Sequence, residues 1–306
     1  MIRYIKHKEI DKKRWDEIVD KAPNGRVYAY SWYLDAMVSD QWDALIWGDY
    51  EYIMPLPWKV RYGIPYLMTP YFIQQLGIYS QKDTTPKVFT NFIHAIPFKF
   101  RYINLNINSP ESISETKAAF KQKRRTNFTL DINCDYDTIA LGYSRNIKRI
   151  LKTECDCRLI ESNNLEGIIR NFQQEVVKKT SNIPDVAFSR LLQAALAAQS
   201  HKQLLPVELL DSGGKMIASF VFFLSHGRIY YIAGTQTPEG KALNATYRLI
   251  DELFKKYNRT HKIFDFEGSD IPGVAEFFKK WGSVPEYYTN IECFKFPTYS
   301  MLRSST

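Results

Sequence analysis

Three strand-forming runs follow one another between residues 204 and 235, and an amphipathic helix begins almost directly after the third. Leu204–Leu210, Lys215–Leu224 and Arg228–Thr235 are rich in apolar β-formers. The breaks between them, Asp211-Ser212-Gly213-Gly214 and Ser225-His226-Gly227, are short and glycine-bearing, as hairpin connections require. Strands joined so tightly pair antiparallel, so the segment is expected to be a meander. After Thr237-Pro238-Glu239-Gly240, the side chains of Leu243, Tyr247, Ile250, Leu253, Phe254 and Tyr257 share one face of a helix. A chain built this way is not a helical bundle. Its 15% aromatic content, with 20 tyrosines and 19 phenylalanines, also suits a core made of sheets.

Around this block the periodicities give a strand over Thr126–Ile132, a helix over Tyr143–Thr153, a short strand over Cys157–Ile160, and helices from Asn164 to Lys179 and from Asp185 to Gln199. Beyond it come a strand at Lys262–Phe266, a helix at Gly273–Lys280 and a last strand at Glu286–Phe296. The first half runs in much the same order. Met1–Lys6 reads as a strand, Asp11–Asp20 and Ser31–Val38 as helices, and Trp42–Trp47 with Glu51–Val60 as a hairpin. Leu67–Gly77 is irregular, Thr84–Ala95 helical and Phe98–Ile107 a strand. The 306 residues are about twice a common domain of roughly 150, and the two halves read as divergent copies. The expected fold class is α+β with mixed sheets in two tandem domains, 1–115 and 116–306.

Lysine and arginine number 41 against 33 aspartates and glutamates, a net charge of +8 that favours an anionic partner or substrate. No apolar run reaches the roughly 20 residues of a membrane span, and Met1–Glu9 is charged where a signal peptide would be apolar. A cytoplasmic protein is expected. Cys134, Cys155, Cys157 and Cys293 are too few for a disulfide scaffold and read as reduced thiols, and the scattered histidines have no ligand spacing, so no metal is expected. Neither a Ser/His/Asp signature nor a nucleotide P-loop is present.

The element order resembles the GNAT acyltransferase fold, and two copies in one chain resemble its FemAB-like branch, the peptidoglycan aminoacyltransferases and their relatives. Local sequence is similar at Tyr143–Lys152, a basic helix opening the second domain, at Asp265-Phe266-Glu267-Gly268, and at Phe277-Phe278-Lys279-Lys280-Trp281-Gly282. Two places depart from the pattern. The lysine expected after the first phenylalanine falls on Phe278, with Lys279 and Lys280 displaced, and Pro238–Asn244 does not reproduce the GNAT pyrophosphate loop. The resemblance implies an acyltransferase working on an amine acceptor, its donor acyl-CoA or, as in FemAB-type enzymes, an aminoacyl-tRNA. The displaced lysine and the absence of a coiled-coil arm tilt this reading towards acyl-CoA. A non-catalytic module that binds an anionic partner is the competing reading.

On that basis the donor is expected at Gly234 and Thr235, where the third meander strand ends, and at Gly240, Lys241, Ala242, Leu243 and Asn244. There a helix start offers free amides and Lys241 a cation, though a plain turn fits these residues as well. Asp265 or Glu267 would be the base and Tyr231 a proton donor, with Tyr247, Tyr287 and Tyr288 as other phenols of that kind. Asp265 could instead simply cap the turn at Gly268 and Ser269. Arg145, Lys148, Arg149 and Lys152 share one helix face, and Lys117, Lys121, Lys123, Arg124 and Arg125 lie upstream with no acidic residue among them. Both are solvated surfaces or contacts for a phosphate-rich partner such as tRNA. Lys279 is a further anion contact, and Gln74 and Gln75 are a surface on the acceptor side or simply a satisfied loop. Trp42, Trp47 and Trp58 are expected in the first core or stacked on a sugar or base.

Overall fold

The computed structural model describes residues 1–108, 120–179, 183–268 and 270–295. The expected boundary at 115/116, Lys117 and Ser269 lie outside the described residues. Two compact units are present. The chain passes from the first to the second at Arg125/Thr126 and returns to the first at Glu286/Tyr287. The units are therefore not consecutive halves, because the last strand pairs within the first.

In the first unit, β1 (Ile2–Ile5), α1 (Lys12–Lys21), α2 (Ser31–Val38), β2 (Trp42–Trp47), β3 (Tyr52–Arg61), β4 (Ile64–Met68), α3 (Pro86–Ala95) and β5 (Tyr102–Ile107) follow in order. Helix starts fall where a side chain replaces a missing intrahelical partner. Asp11 accepts a hydrogen bond from the Arg14 amide, and Thr85 accepts one from the Val88 amide with Pro86 just inside the helix. β1 to β4 pair antiparallel in sequence order, and β4 then pairs parallel with β5. Leu45, Leu56, Leu67, Ile103, Leu105 and Ile291 pack with Phe89, Phe92 and Phe100 in this unit's core. Trp42 is fully buried, and Trp47 and Trp58 are half-buried, the latter two packing at the edge of that cluster.

The second unit begins within β6 (Lys121–Asp131). It continues through α4 (Tyr136–Leu141), α5 (Arg145–Lys152), β7 (Arg158–Glu161), α6 (Leu165–Lys179), α7 (Asp185–Ser200), β8 (Leu204–Leu210), β9 (Met216–Ser225), β10 (Arg228–Gln236), α8 (Pro238–Ala242), α9 (Ala245–Tyr257), β11 (Ile263–Asp265) and α10 (Pro272–Lys279), and β12 (Val284–Phe294) leads out of it. The expected meander is β8–β9–β10, antiparallel throughout. β7 pairs antiparallel with β8, β10 pairs parallel with β11, and β11 pairs antiparallel with β6. Within the first unit, β12 pairs antiparallel with β5.

Each unit thus contributes a six-stranded stretch of sheet, first and second, of one design: four antiparallel strands, a parallel fifth and an antiparallel sixth. The sixth strand of the first sheet comes from the end of the chain. That of the second is β6, where the second unit begins.

The helix expected to run from Leu243 to Tyr257 is α9, starting at Ala245, while the Pro238–Gly240 stretch expected only to lead into it opens a separate short helix, α8; Asn244, left-handed with φ 55°, stands between them. Cys155 and Cys157, expected as reduced thiols, are joined as a disulfide in the turn between α5 and β7, where the Cys157 amide donates to the Cys155 carbonyl.

Candidate active site

β10 pairs with β11 only over Arg228–Tyr230, opposite Ile263–Asp265. From Tyr231 to Gln236 it has no strand partner on that side among the described residues. The register against β9 slips between Tyr231 and Ala233, leaving Ile232 as an extra residue that bends the strand. β11 stops at Asp265. The Phe266 amide then donates to the Phe128 carbonyl, Glu267 adopts φ 59°, and Gly268 lies so close to β6 that a Cβ would stand 2.3 Å from the Thr126 carbonyl oxygen. A parallel pair that parts at its carboxyl end leaves the kind of opening in which mixed sheets hold ligands.

The residues where the pair still holds are a closed charge cluster. Arg228 Nη1 donates to Asp265 Oδ2 at 2.9 Å and to Glu286 Oε2 at 3.1 Å, and its Nη2 donates to Glu286 Oε1 at 2.7 Å. Asn127 Nδ2 donates to Asp265 Oδ1 at 2.9 Å and to Glu286 Oε2 at 3.1 Å, and the Glu267 amide donates to Asp265 Oδ1 at 3.0 Å. Asp265 is 1% exposed and Arg228 8%. Burial works against the Arg228 charge, but Glu286 and Asp265 more than offset it, so the guanidinium pKa lies above its ordinary value. Asp265 has both oxygens engaged, and its geometry is that of an anchor. Sequence reading named Asp265 but missed Arg228, Asn127 and Glu286. An arginine opening an otherwise apolar strand is the one signal that could have found them.

Past the anchor, Glu267 and Tyr231 both lie at the carboxyl end of the pair. Tyr231 is half-buried against Phe220 and Phe222, with ring centroids at 5.1 and 5.6 Å, and these apolar surroundings raise its phenol pKa. The phenol therefore keeps its proton at neutral pH. Gly234 lets the Phe220 ring lie across β10, since a Cβ there would meet that ring at 2.2 Å. Thr235, Gln236, Thr237 and Pro238 line a pocket of about 260 Å³, closed on its other side by Asn171, Gln174 and Glu175 of α6 and by Met216.

The expected donor loop is built differently from the expectation. Gly240 is buried against β9, its missing Cβ making room for the Ile217 carbonyl oxygen at 2.1 Å from where a Cβ would be. The Thr237 hydroxyl accepts from the Gly240 amide, and the Lys241 amide donates to the Thr237 carbonyl. Glu239 adds a carboxylate to the first turn, its pKa lowered by its own backbone amide and by Thr237, and lies 3.5 Å from Lys215. The amides meant for a pyrophosphate are therefore capped from within the chain. Lys241, Ala242 and Leu243 are exposed, and Asn244 is the left-handed hinge.

No family model matches the chain, and no curated protein matches it in sequence. Solved structures do match in shape. FemX is 12% identical over 94% of this chain and 96% of its own, with a TM-score of 0.70. L-PGS from Bacillus licheniformis is 10% identical over 96% and 94%, with a TM-score of 0.55. A tandem GNAT protein from the clavulanic acid biosynthesis pathway is 10% identical over 97% and 100%, with a TM-score of 0.50. The fold is the FemAB-like tandem GNAT fold. At these identities the likeness speaks for the fold alone.

Within that fold the remaining expected residues separate clearly. Arg145, Lys148, Arg149 and Lys152 are exposed on α5, and none forms an ion pair among the described residues. Lys148 donates to the Leu141 carbonyl and Arg149 to Asn146 Oδ1. α5 is fixed from beneath, because the Ser144 hydroxyl caps its first turn and Arg248 donates to the Ile150 and Thr153 carbonyls at its end. Phe277, Phe278 and Trp281 are core residues, with Trp281 fully buried and in ring contact with Tyr143, Tyr247, Phe254 and Phe277. Lys279 is taken up by a surface pair with Glu276 at 2.8 Å. Gln75 is buried at 3% exposure and its Nε2 donates to Gln74 Oε1, which fits the satisfied loop and not an acceptor-side surface at that residue.

Proposed function

We propose that the second unit transfers an acyl group from an activated donor to an amine, and that the donor is an aminoacyl ester carried on RNA. The observation that carries the reading is the unpartnered edge of β10 from Tyr231 to Gln236, which offers strand-like hydrogen bonds to an extended acyl donor. In the reaction the amine nitrogen attacks the ester carbonyl and Glu267 accepts the amine proton. The carbonyl re-forms as the bond to the ribose oxygen breaks, and Tyr231 supplies the proton that oxygen takes up. An amide and a free RNA terminus result. Asp265 positions Glu267 by accepting its amide hydrogen.

The choice of donor rests on charge. Glu239 stands in the first turn of α8, where a pyrophosphate would have to sit, and repels it. Among the described residues the four cations of α5 have no acidic partner, and they suit a phosphate backbone. The FemAB-like resemblance points the same way and names the amine of a peptidoglycan precursor as an acceptor. The pocket beside Thr235–Pro238 favours the second reading, acyl-CoA.

A melting-temperature titration against aminoacylated total tRNA, acetyl-CoA and free CoA tests this. At about 100 times its dissociation constant a ligand adds roughly 2.7 kcal/mol to the folded state, a shift of several degrees. The expected result is a rise with tRNA that weakens steeply as salt is added, and none with acetyl-CoA. A saturable, salt-insensitive rise with acetyl-CoA would replace the donor. Binding of tRNA that is the same whether or not it is charged, without any transfer, would support the non-catalytic module.

A further inference from the structure

The first sheet presents an unusual face. Side chains alternate across a strand, so the register of β3, β4, β5 and β12 brings Lys59 and Arg61, Ile64, Tyr66 and Met68, Tyr102, Asn104 and Asn106, and Asn290, Glu292 and Phe294 to one side. The opposite side carries the core residues Leu67, Ile103, Leu105 and Ile291. Asparagine is depleted in strands, yet three of them stand in adjacent strands, half-exposed and tied together. Asn290 Nδ2 donates to Asn104 Oδ1 at 2.7 Å and to Asn106 Oδ1 at 2.9 Å. Asn104 Nδ2 donates to the Tyr102 hydroxyl at 2.9 Å, which donates to Glu292 Oε1 at 2.8 Å, and Asn106 Nδ2 donates to the Gln74 carbonyl at 2.8 Å.

A solvated sheet face is ordinarily kept soluble by charged side chains that need no fixed geometry. Here the amides are held in fixed orientations, an arrangement that breaks the local propensity rule without adding to the core. At one end of the row the aromatic rings gather. Tyr66 and Tyr102 are 6.3 Å apart, Tyr102 and Phe294 4.6 Å, and with Arg61, Tyr62, Ile64 and Met68 they line a pocket of about 460 Å³. That volume lies within the roughly 300–1,000 Å³ of small-ligand sites.

We propose that this face is a carbohydrate-binding site. A pyranose has an apolar face of C–H groups that lies flat on an aromatic ring and a rim of hydroxyls that each donate and accept. Oriented amides and a carboxylate satisfy that rim. Glu292 at the centre of the row and Arg61 at the pocket bring charge of both signs to the face, so the ring-and-amide pattern and not net charge selects a saccharide, and UMP in the test reads out a phosphate-bearing ligand instead. The site is independent of the donor and of the reaction in the second unit.

Saturation-transfer NMR with chitotetraose, cellotetraose and maltotetraose, with UMP and tetra-alanine as controls, tests the proposal on the full chain. The expected result is saturable transfer to the ring protons of at least one tetrasaccharide and none to the controls. Tyr66→Ala and Asn290→Ala should each weaken it at least about tenfold, and Tyr102→Phe, which keeps the ring and removes the link to Glu292, should weaken it less. Unchanged circular-dichroism melting certifies each variant. If Tyr66→Ala does not fold, Phe294→Ala, at a 59% exposed position, takes its place. No transfer to any tetrasaccharide, transfer to UMP or tetra-alanine instead, or transfer indifferent to both Tyr66→Ala and Asn290→Ala would overturn it.

Discussion

The two sheets share strand order and sense, and they differ at the parallel pair. In the second sheet β10 and β11 part after three residues each, and β10 runs on alone from Tyr231. In the first, β4 pairs with β5 over Leu67 and Met68, and the following segment closes back on β5. The Thr69 amide donates to the Asn104 carbonyl, the Leu76 amide to the Asn106 carbonyl, and the Asn108 amide to the Leu76 carbonyl. Ile73, Leu76 and Ile78 of that segment are buried. One scaffold therefore exists here once open and once plugged. Gln74 and Gln75 belong to the plug, and Glu267 and Tyr231 to the opening. The comparison teaches that a repeated topology does not repeat a site, because the site lies in a few residues after a strand ends.

The strongest way to break the comparison is to remove what holds the open pair together. Asp265→Ala leaves Arg228 buried with one carboxylate fewer and should cost about 3–5 kcal/mol in urea unfolding. Asp265→Asn should recover part of it. A variant that stayed stable but lost activity would make Asp265 the base and not the anchor.

Glu267→Gln should do the reverse. It is expected to lower the transfer rate by about 10²–10⁴-fold while shifting stability by less than about 0.5 kcal/mol. The glycines sharpen the contrast further. Gly240→Ala and Gly268→Ala each drive a Cβ against a backbone carbonyl, at 2.1 and 2.3 Å, and should destabilise by about 1–3 kcal/mol. Gly77→Ala in the plug meets the Asn108 side chain, which can turn away at the loss of its hydrogen bond to the Asn24 carbonyl, about 1 kcal/mol. Smallest per residue are the α5 cations. Arg145→Ala with Arg149→Ala should leave stability unchanged and reduce the salt dependence of tRNA binding by about two phosphate contacts.

Local features of the fold were legible. The meander, its hairpin breaks, α2 and β2 follow from periodicity and caps that lie within a few residues. β4 was not, because Pro65 interrupts its pattern beside an irregular apolar stretch, and α4 was not, because six residues carry little period. The break at Asn244 depends on a left-handed backbone that asparagine tolerates but does not announce. Non-local choices left no trace. Nothing near Glu286–Phe294 says that this strand completes the first sheet, and nothing near Arg228 names Asp265 and Glu286 as its partners. The site was legible where it coincides with a turn, at Asp265–Gly268, although that Asp265 is the anchor is decided by the packing of β6.

Hydrogen–deuterium exchange on the full chain, with and without aminoacylated tRNA, tests the open-and-plugged account most directly. The account predicts that amides of Tyr231–Gln236 slow when the donor is added, while those of Thr69–Gly77 are slow beforehand and do not change. Protection that appears over Thr69–Gly77, or a Tyr231–Gln236 segment indifferent to the donor, would contradict it.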